Sequence, residues 1–109
     1  MFIRSFVYAD SKIEAESVFE DIVTYIKSNI KSRKYIKNEP YWKCDKMFVV
    51  EVEIGLNKYL NEVEINEFLK SISNKWLTFG NPINEIVVSD ATEDCILEKN
   101  NVSMINIFI

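Results

Sequence analysis

Hydrophobic spacing changes period repeatedly along this chain, and those changes constrain the fold more than any other feature. Phe2, Arg4, Phe6 and Tyr8 alternate with Ile3, Ser5, Val7 and Ala9. A two-residue period rich in aromatic and β-branched side chains suits a strand with at least one buried face. From Asp10 the spacing becomes three and four. Ala15, Val18, Phe19, Ile22, Val23, Ile26 and Ile30 recur on one side of a helix, and Ser11 followed by Glu14 has capping-box spacing. Glu14, Glu16, Glu20 and Asp21 come early in this helix and Lys27 and Lys31 late, which complements the helix dipole.

The two-residue pattern then returns. Lys34–Lys43 is polar and aromatic, with Tyr35, Ile36, Tyr41 and Trp42 around Pro40, and a proline that cannot donate to a ladder predicts an edge strand. After a turn near Cys44–Lys46, Met47–Ile54 puts Phe48, Val50, Val52 and Ile54 on one face and Val49, Glu51 and Glu53 on the other. Asn61 and Glu64 offer a second cap, followed by the apolar stripe Ile65, Phe68, Leu69, Ile72 and Trp76, with Gly80 and Pro82 ending the helix.

Ile86-Val87-Val88 within Glu85–Ser89, and the alternating Val102–Ile109, complete the strands. Cys95-Ile96-Leu97 is a further candidate, in a hairpin with the last strand across the turn-forming Asn100-Asn101. The order β-α-β-β-α-β-β predicts an α+β domain on the ferredoxin-like βαββαβ plan with an extra C-terminal strand. Its two helices would pack on one face of a mostly antiparallel sheet.

Composition bounds the chemistry. At 109 residues with 48% apolar and 13% aromatic content, the chain has the material for one core, and residues 1–109 are read as a single domain. With no apolar run near the roughly 20 residues a membrane span needs, and no signal-peptide pattern at Met1–Asp10, a cytoplasmic protein is expected. Cys44 and Cys95 have no Cys or His at metal-ligand spacing, so reduced thiols are expected and no metal or cofactor is predicted.

The chain has no histidine, which removes the commonest general base and the usual activator of a nucleophilic Ser or Cys. Glu51 and Glu53 are the best local carboxylate pair, yet alternate glutamates on a half-buried strand are ordinary, and no catalytic residue is assigned. Beyond Lys43 and Lys46 beside Cys44 nothing local makes a thiolate-favouring pocket, Cys95 follows the acidic Glu93 and Asp94, and both read as plain buried or turn cysteines.

Charge is unevenly placed. Lys27–Lys46 holds seven basic residues interleaved with Tyr35, Tyr41 and Trp42, a composition compatible with single-stranded nucleic acid. The net charge of −4 argues against built-in attraction to polyanions, so direct nucleic-acid binding is not expected. Trp76–Glu98 holds five acids and no base. Its Asp90, Glu93, Asp94 and Glu98 lack the alternation and central glycine of a calcium loop, leaving a solvated loop or a surface that steers a basic partner. Tyr41 or Trp42, if exposed, could anchor such a partner, whereas Trp76 at the end of an apolar stripe reads as core.

The short acidic chain, its Lys75-Trp76 followed by Phe79-Gly80-Asn81-Pro82, and its terminal Val102–Ile109 strand resemble the small immunity proteins of bacterial polymorphic-toxin and contact-dependent inhibition systems. The resemblance implies tight binding to a cognate toxin domain, blocking its active site or substrate access. A nuclease toxin would be basic and would face Asp90, Glu93, Asp94 and Glu98. Two other functions remain open: a small-molecule-sensing or regulatory domain of the ferredoxin-like kind, and a small carboxylate-dependent enzyme using Glu51 or Glu53. The lysine- and proline-bearing edge at Lys34–Lys43 is defended against strand pairing, which favours a monomer.

Overall fold

The computed structural model describes residues 1–109. The elements run β1 (Phe2–Tyr8), α1 (Lys12–Ile22), a 3₁₀ helix (Thr24–Asn29), β2 (Ile30–Pro40), β3 (Met47–Leu56), α2 (Glu62–Ile72), β4 (Leu77–Phe79), β5 (Glu85–Ser89) and β6 (Val102–Phe108). All six strands form one antiparallel sheet in the order β2-β3-β1-β6-β5-β4. The α+β class and the antiparallel sheet agree with the sequence. The extra strand does not lie at the C-terminus: β6 pairs directly with β1 near the sheet centre, and β4 and β5 form an added hairpin outside it.

The alternation in β1 sorts the two faces. Ile3, Ser5 and Val7 are fully buried, and across them lie Val52, Val50 and Phe48 of β3. These residues join Phe19 and Ile22 of α1, Phe68 and Ile72 of α2, and Ile105 and Ile107 of β6 in a single apolar core. Both helices therefore cover the same face. Ser5 is the polar member of that face, and its hydroxyl donates to the Val50 carbonyl at 3.4 Å, so its burial is compensated.

Two boundaries differ from the sequence expectation. The first helix stops at Ile22 rather than continuing to Ile30, and the chain tightens into the 3₁₀ turn. Ile30 is needed opposite Leu56 to open the β2–β3 hairpin, and the Asn57 amide donates to the Asn29 carbonyl to close it. Ile26 stays in the core from the 3₁₀ turn, which is why its spacing looked helical. The second helix ends at Ile72, where the Ile72 carbonyl accepts from the Glu98 amide and Ser73 turns extended. Trp76 packs on the core from the segment after the helix. Gly80, at φ +94°, and Pro82 form the β4–β5 turn instead of a helix stop, and a Cβ at Gly80 would lie 2.6 Å from Asn84 Oδ1.

Local chemistry fixes the helix starts. The Glu14 amide donates to Ser11 Oγ, while the Glu14 carboxylate accepts from the Asp10 amide, one residue before the cap. Asn61 and Glu64 make the full reciprocal capping box, and Lys58 pairs with Glu64 at 2.9 Å. On the helical face, Glu20 accepts from Tyr35 Oη and pairs with Arg33 at 2.9 Å, tying α1 to β2. Burial, reinforced by the Glu20 carboxylate, raises the Tyr35 phenol well above its ordinary pKa.

Replacing Phe19, fully buried at the centre of the core, by Ala is expected to cost about 3–5 kcal/mol, measurable as a lower urea midpoint. A second expectation concerns pH. The Lys58 ammonium, then the Asn61 amide, hold the Glu64 carboxyl below its ordinary pKa. A folded-state value below the unfolded one stabilises above the unfolded pKa, and the contribution disappears as pH falls through the folded value. Glu64→Gln should flatten the acid limb of a stability–pH profile and leave its shape near neutrality unchanged.

Candidate partner-binding surface

The helices leave the other sheet face open. It carries Phe2, Arg4, Phe6 and Tyr8 of β1, opposite Glu53, Glu51, Val49 and Met47 of β3 and opposite Phe108, Asn106 and Met104 of β6. No helix covers this face, yet its side chains largely cover one another: Met47, Val49, Glu51 and Asn106 are buried, Phe2, Arg4 and Phe6 half-buried, and Tyr8 exposed.

A charged cluster interrupts this apolar face. Arg4 Nε donates to Glu51 Oε2 at 2.7 Å, and Lys37 Nζ lies 3.8 Å from the other Glu51 oxygen. The Arg4 guanidinium also sits 5.9 Å from the Phe2 ring centroid and 5.8 Å from that of Phe108. Neighbouring strands bring the members together: Arg4 pairs with Glu51 across β1–β3, and Lys37 with Glu51 across β2–β3. Glu51 and Glu53 share a strand face, as the alternation predicts, but Glu51 is buried in its ion pairs while Glu53 is exposed.

The β2–β3 loop folds over the edge of this face. Tyr41 packs edge-on against Phe6, with ring centroids 5.0 Å apart, and Trp42 stands on Tyr41 at 6.3 Å. Lys43 Nζ lies 5.0 Å from the Trp42 ring centroid. Trp42 is 84% exposed, so the stack holds a large aromatic side chain out in solvent. Beneath it runs a shallow groove of about 240 Å³ lined by Arg4, Phe6, Lys37, Tyr41, Trp42 and Glu51, among others.

The structure brings only part of the predicted acidic surface to this end. The Asp90 carboxylate accepts from Tyr8 Oη at 3.1 Å and Ser103 Oγ at 3.4 Å. Tyr8 is paired with Met47, whose carbonyl accepts from the Tyr41 amide, so Asp90 and the Tyr41–Trp42 stack flank the same strand end. Glu93, Asp94 and Glu98 run instead towards the C-terminal end of α2. There the Glu93 carbonyl accepts from Lys75 Nζ, the Asp94 carbonyl accepts from Asn74 Nδ2, and the Glu98 amide donates to Ile72. Leu97 bridges Ser73 and forms no hairpin with β6, because the loop is stitched to the end of α2.

Sequence reading missed Arg4, Phe6 and Tyr8, whose alternation shows that they share a face but not that the face is open. It also missed Asp10 and Glu14, which line a second shallow groove with Tyr8, Lys46 and Asn101. Cys44 is exposed and Cys95 half-buried beside Ser73 Oγ at 3.2 Å, both as free thiols. No group of three or more His, Cys, Asp and Glu side chains is arranged to hold a metal ion, and no helix is long and apolar enough to cross a membrane. No family model, no curated protein and no solved structure matches the chain.

Arg4→Ala would leave the Glu51 carboxylate, 11% exposed, with only the more distant Lys37. A fully buried broken pair costs about 3–5 kcal/mol, and because Arg4 is itself 38% exposed the expected loss is about 2 kcal/mol by urea unfolding. Trp42→Ala should change stability by less than about 0.5 kcal/mol, since its ring covers little of the protein.

Proposed function

We propose that this chain is a protein-binding inhibitor of the immunity type, which seats a cognate toxin domain on its sheet end and covers that domain's active site or substrate path. The observation that carries the reading is Trp42, largely exposed and propped by Tyr41 on Phe6 beside the open sheet face. Exposing so large an apolar ring has no folding benefit, and tryptophan is among the residues that most often dominate binding energy at interfaces.

Asp90, together with Asp10 and Glu14 on the adjoining groove, offers carboxylates to a basic partner such as a nuclease domain, on an end that also carries Lys43 and Lys46. Glu93, Asp94 and Glu98 lie further round and would contribute to the long-range field more than to contact. On this reading the work is done by binding, in a cytoplasmic setting, with no cofactor or metal and no direct contact to nucleic acid. The strand relations also support a ferredoxin-like core, elaborated by a hairpin: β1 and β2 run parallel on either side of β3, and β6 follows on the far side of β1.

The test is growth rescue of bacterial cells expressing the toxic domain encoded beside this chain, followed by direct binding measurements. Wild type should rescue. Trp42→Ala should weaken binding by about 2 kcal/mol or more, and joint charge reversal of Asp90, Glu93 and Asp94 should slow association most at low salt. Rescue and affinity indifferent to Trp42→Ala would exclude this surface as the interface, and a chain that rescues from no neighbouring toxin would exclude the function.

A further inference from the structure

The two edges of the sheet are built differently. On the outer strand β2, Lys31, Arg33, Lys34, Lys37 and Pro40 combine with register irregularities at Ile30/Ser32 and Tyr35/Lys37, which obstruct pairing with another strand. On the other side, β4 carries no charge, proline or register irregularity, and its one protection is its length of three residues. From Trp76 to Asn84 no residue is charged, in a chain that is 28% charged, and Pro82 lies in the turn rather than in the strand. Leu77 and Phe79 are 45% and 50% exposed, and Ile83 in the following turn is 51% exposed. An edge strand leaves alternate N–H and C=O groups unpaired, so β4 offers both open hydrogen-bonding groups and an apolar surface.

We propose that β4 is a self-association edge, where a second copy of this chain adds its own β4 antiparallel to the first. The strand is self-complementary about Thr78: in an antiparallel pair centred there, Leu77 of one copy lies opposite Phe79 of the other on the same sheet face, twice across the two-fold axis. Leu77 pairs with Val87 and Phe79 with Glu85 within the chain, so both side chains already share the open face and would extend it across the junction. An uncharged edge has nothing to select a strongly charged partner, whereas an identical neutral strand matches it without burying an unpaired charge. The expectation of a monomer rested on the defended edge, β2, and does not extend to β4.

Pairing three-residue strands buries little beside the roughly 1,200–2,000 Å² of a standard interface, so association should depend strongly on concentration. Across the sheet, β4 lies five strand spacings from β2, about 24 Å at the usual interstrand distance. The Trp42 surface therefore stays free in the dimer, and this inference does not rest on the proposed function.

Sedimentation-velocity analysis of the full chain over a wide concentration range tests it. Wild type should shift from monomer to dimer as concentration rises. Leu77→Lys and Phe79→Lys should each move the association constant at least tenfold towards monomer, with circular dichroism showing that both variants stay folded. Trp42→Ala should associate as wild type does. A chain that remains monomeric throughout, or a dimer indifferent to both lysine substitutions, would overturn the proposal; so would a dimer lost in Trp42→Ala but kept in Leu77→Lys.

Discussion

The structure depends on β1 being hydrogen-bonded along both of its edges. The first strand of the chain pairs with β3 on one side and β6 on the other, so residues distant in sequence are fixed to it within a few ångströms. Its inward side chains, Ile3, Ser5 and Val7, have no exposed surface, because α1 packs over the strand and the inward side chains of β3 and β6 flank them in the core. A side-chain period of two then leaves no freedom outside the core: once Ile3 and Val7 face the helices, Phe2, Arg4, Phe6 and Tyr8 must face the other way. The composition of the open face follows from the burial of the closed one.

That face is held in order by electrostatics as much as by packing. Arg4 lies between two aromatic rings and pairs with a carboxylate that has lost most of its access to water, so the Arg4–Glu51 contact is directional and register-dependent. A one-residue slip of β3 against β1 would separate the ions and turn the apolar residues of β3 outward. The same register places Phe6 beneath Tyr41, and thereby determines where Trp42 stands. The exposed tryptophan is thus supported by the core through a short chain of contacts: the β1 register, Phe6, Tyr41, Trp42.

The helix termini show a related economy. The end of α2 has few capping groups of its own, and the β5–β6 loop supplies one, the Glu98 amide donating to the Ile72 carbonyl; just beyond the helix the Ile96 amide also donates to Asn74 Oδ1 at 2.6 Å. The acidic loop is consequently part of the packing around α2, which explains why only Asp90 reaches the Tyr8 end. Acidic residues adjacent in sequence are separated on the surface because the backbone between them is used elsewhere.

Sequence alone determined what local periodicity and local hydrogen bonding can determine. The burial face of β1 and β3, the caps at Ser11 and Asn61, the core role of Phe19 and Phe68, and the strand character of Val102–Phe108 follow from spacing, because a side chain's direction is set by residues within a turn or a pleat of it. Tertiary structure decided which strands became neighbours, that β6 belongs beside β1, where the first helix stops, and that Leu77–Phe79 is an edge strand instead of the end of a helix. It also decided that Arg4, Glu51 and Lys37 meet, and that Trp42 and Asp90 flank one strand end while Glu93 and Asp94 do not. Those outcomes depend on pairing between segments far apart in the chain, and the energy of such a pair is set by the partner it finds, which no local pattern encodes.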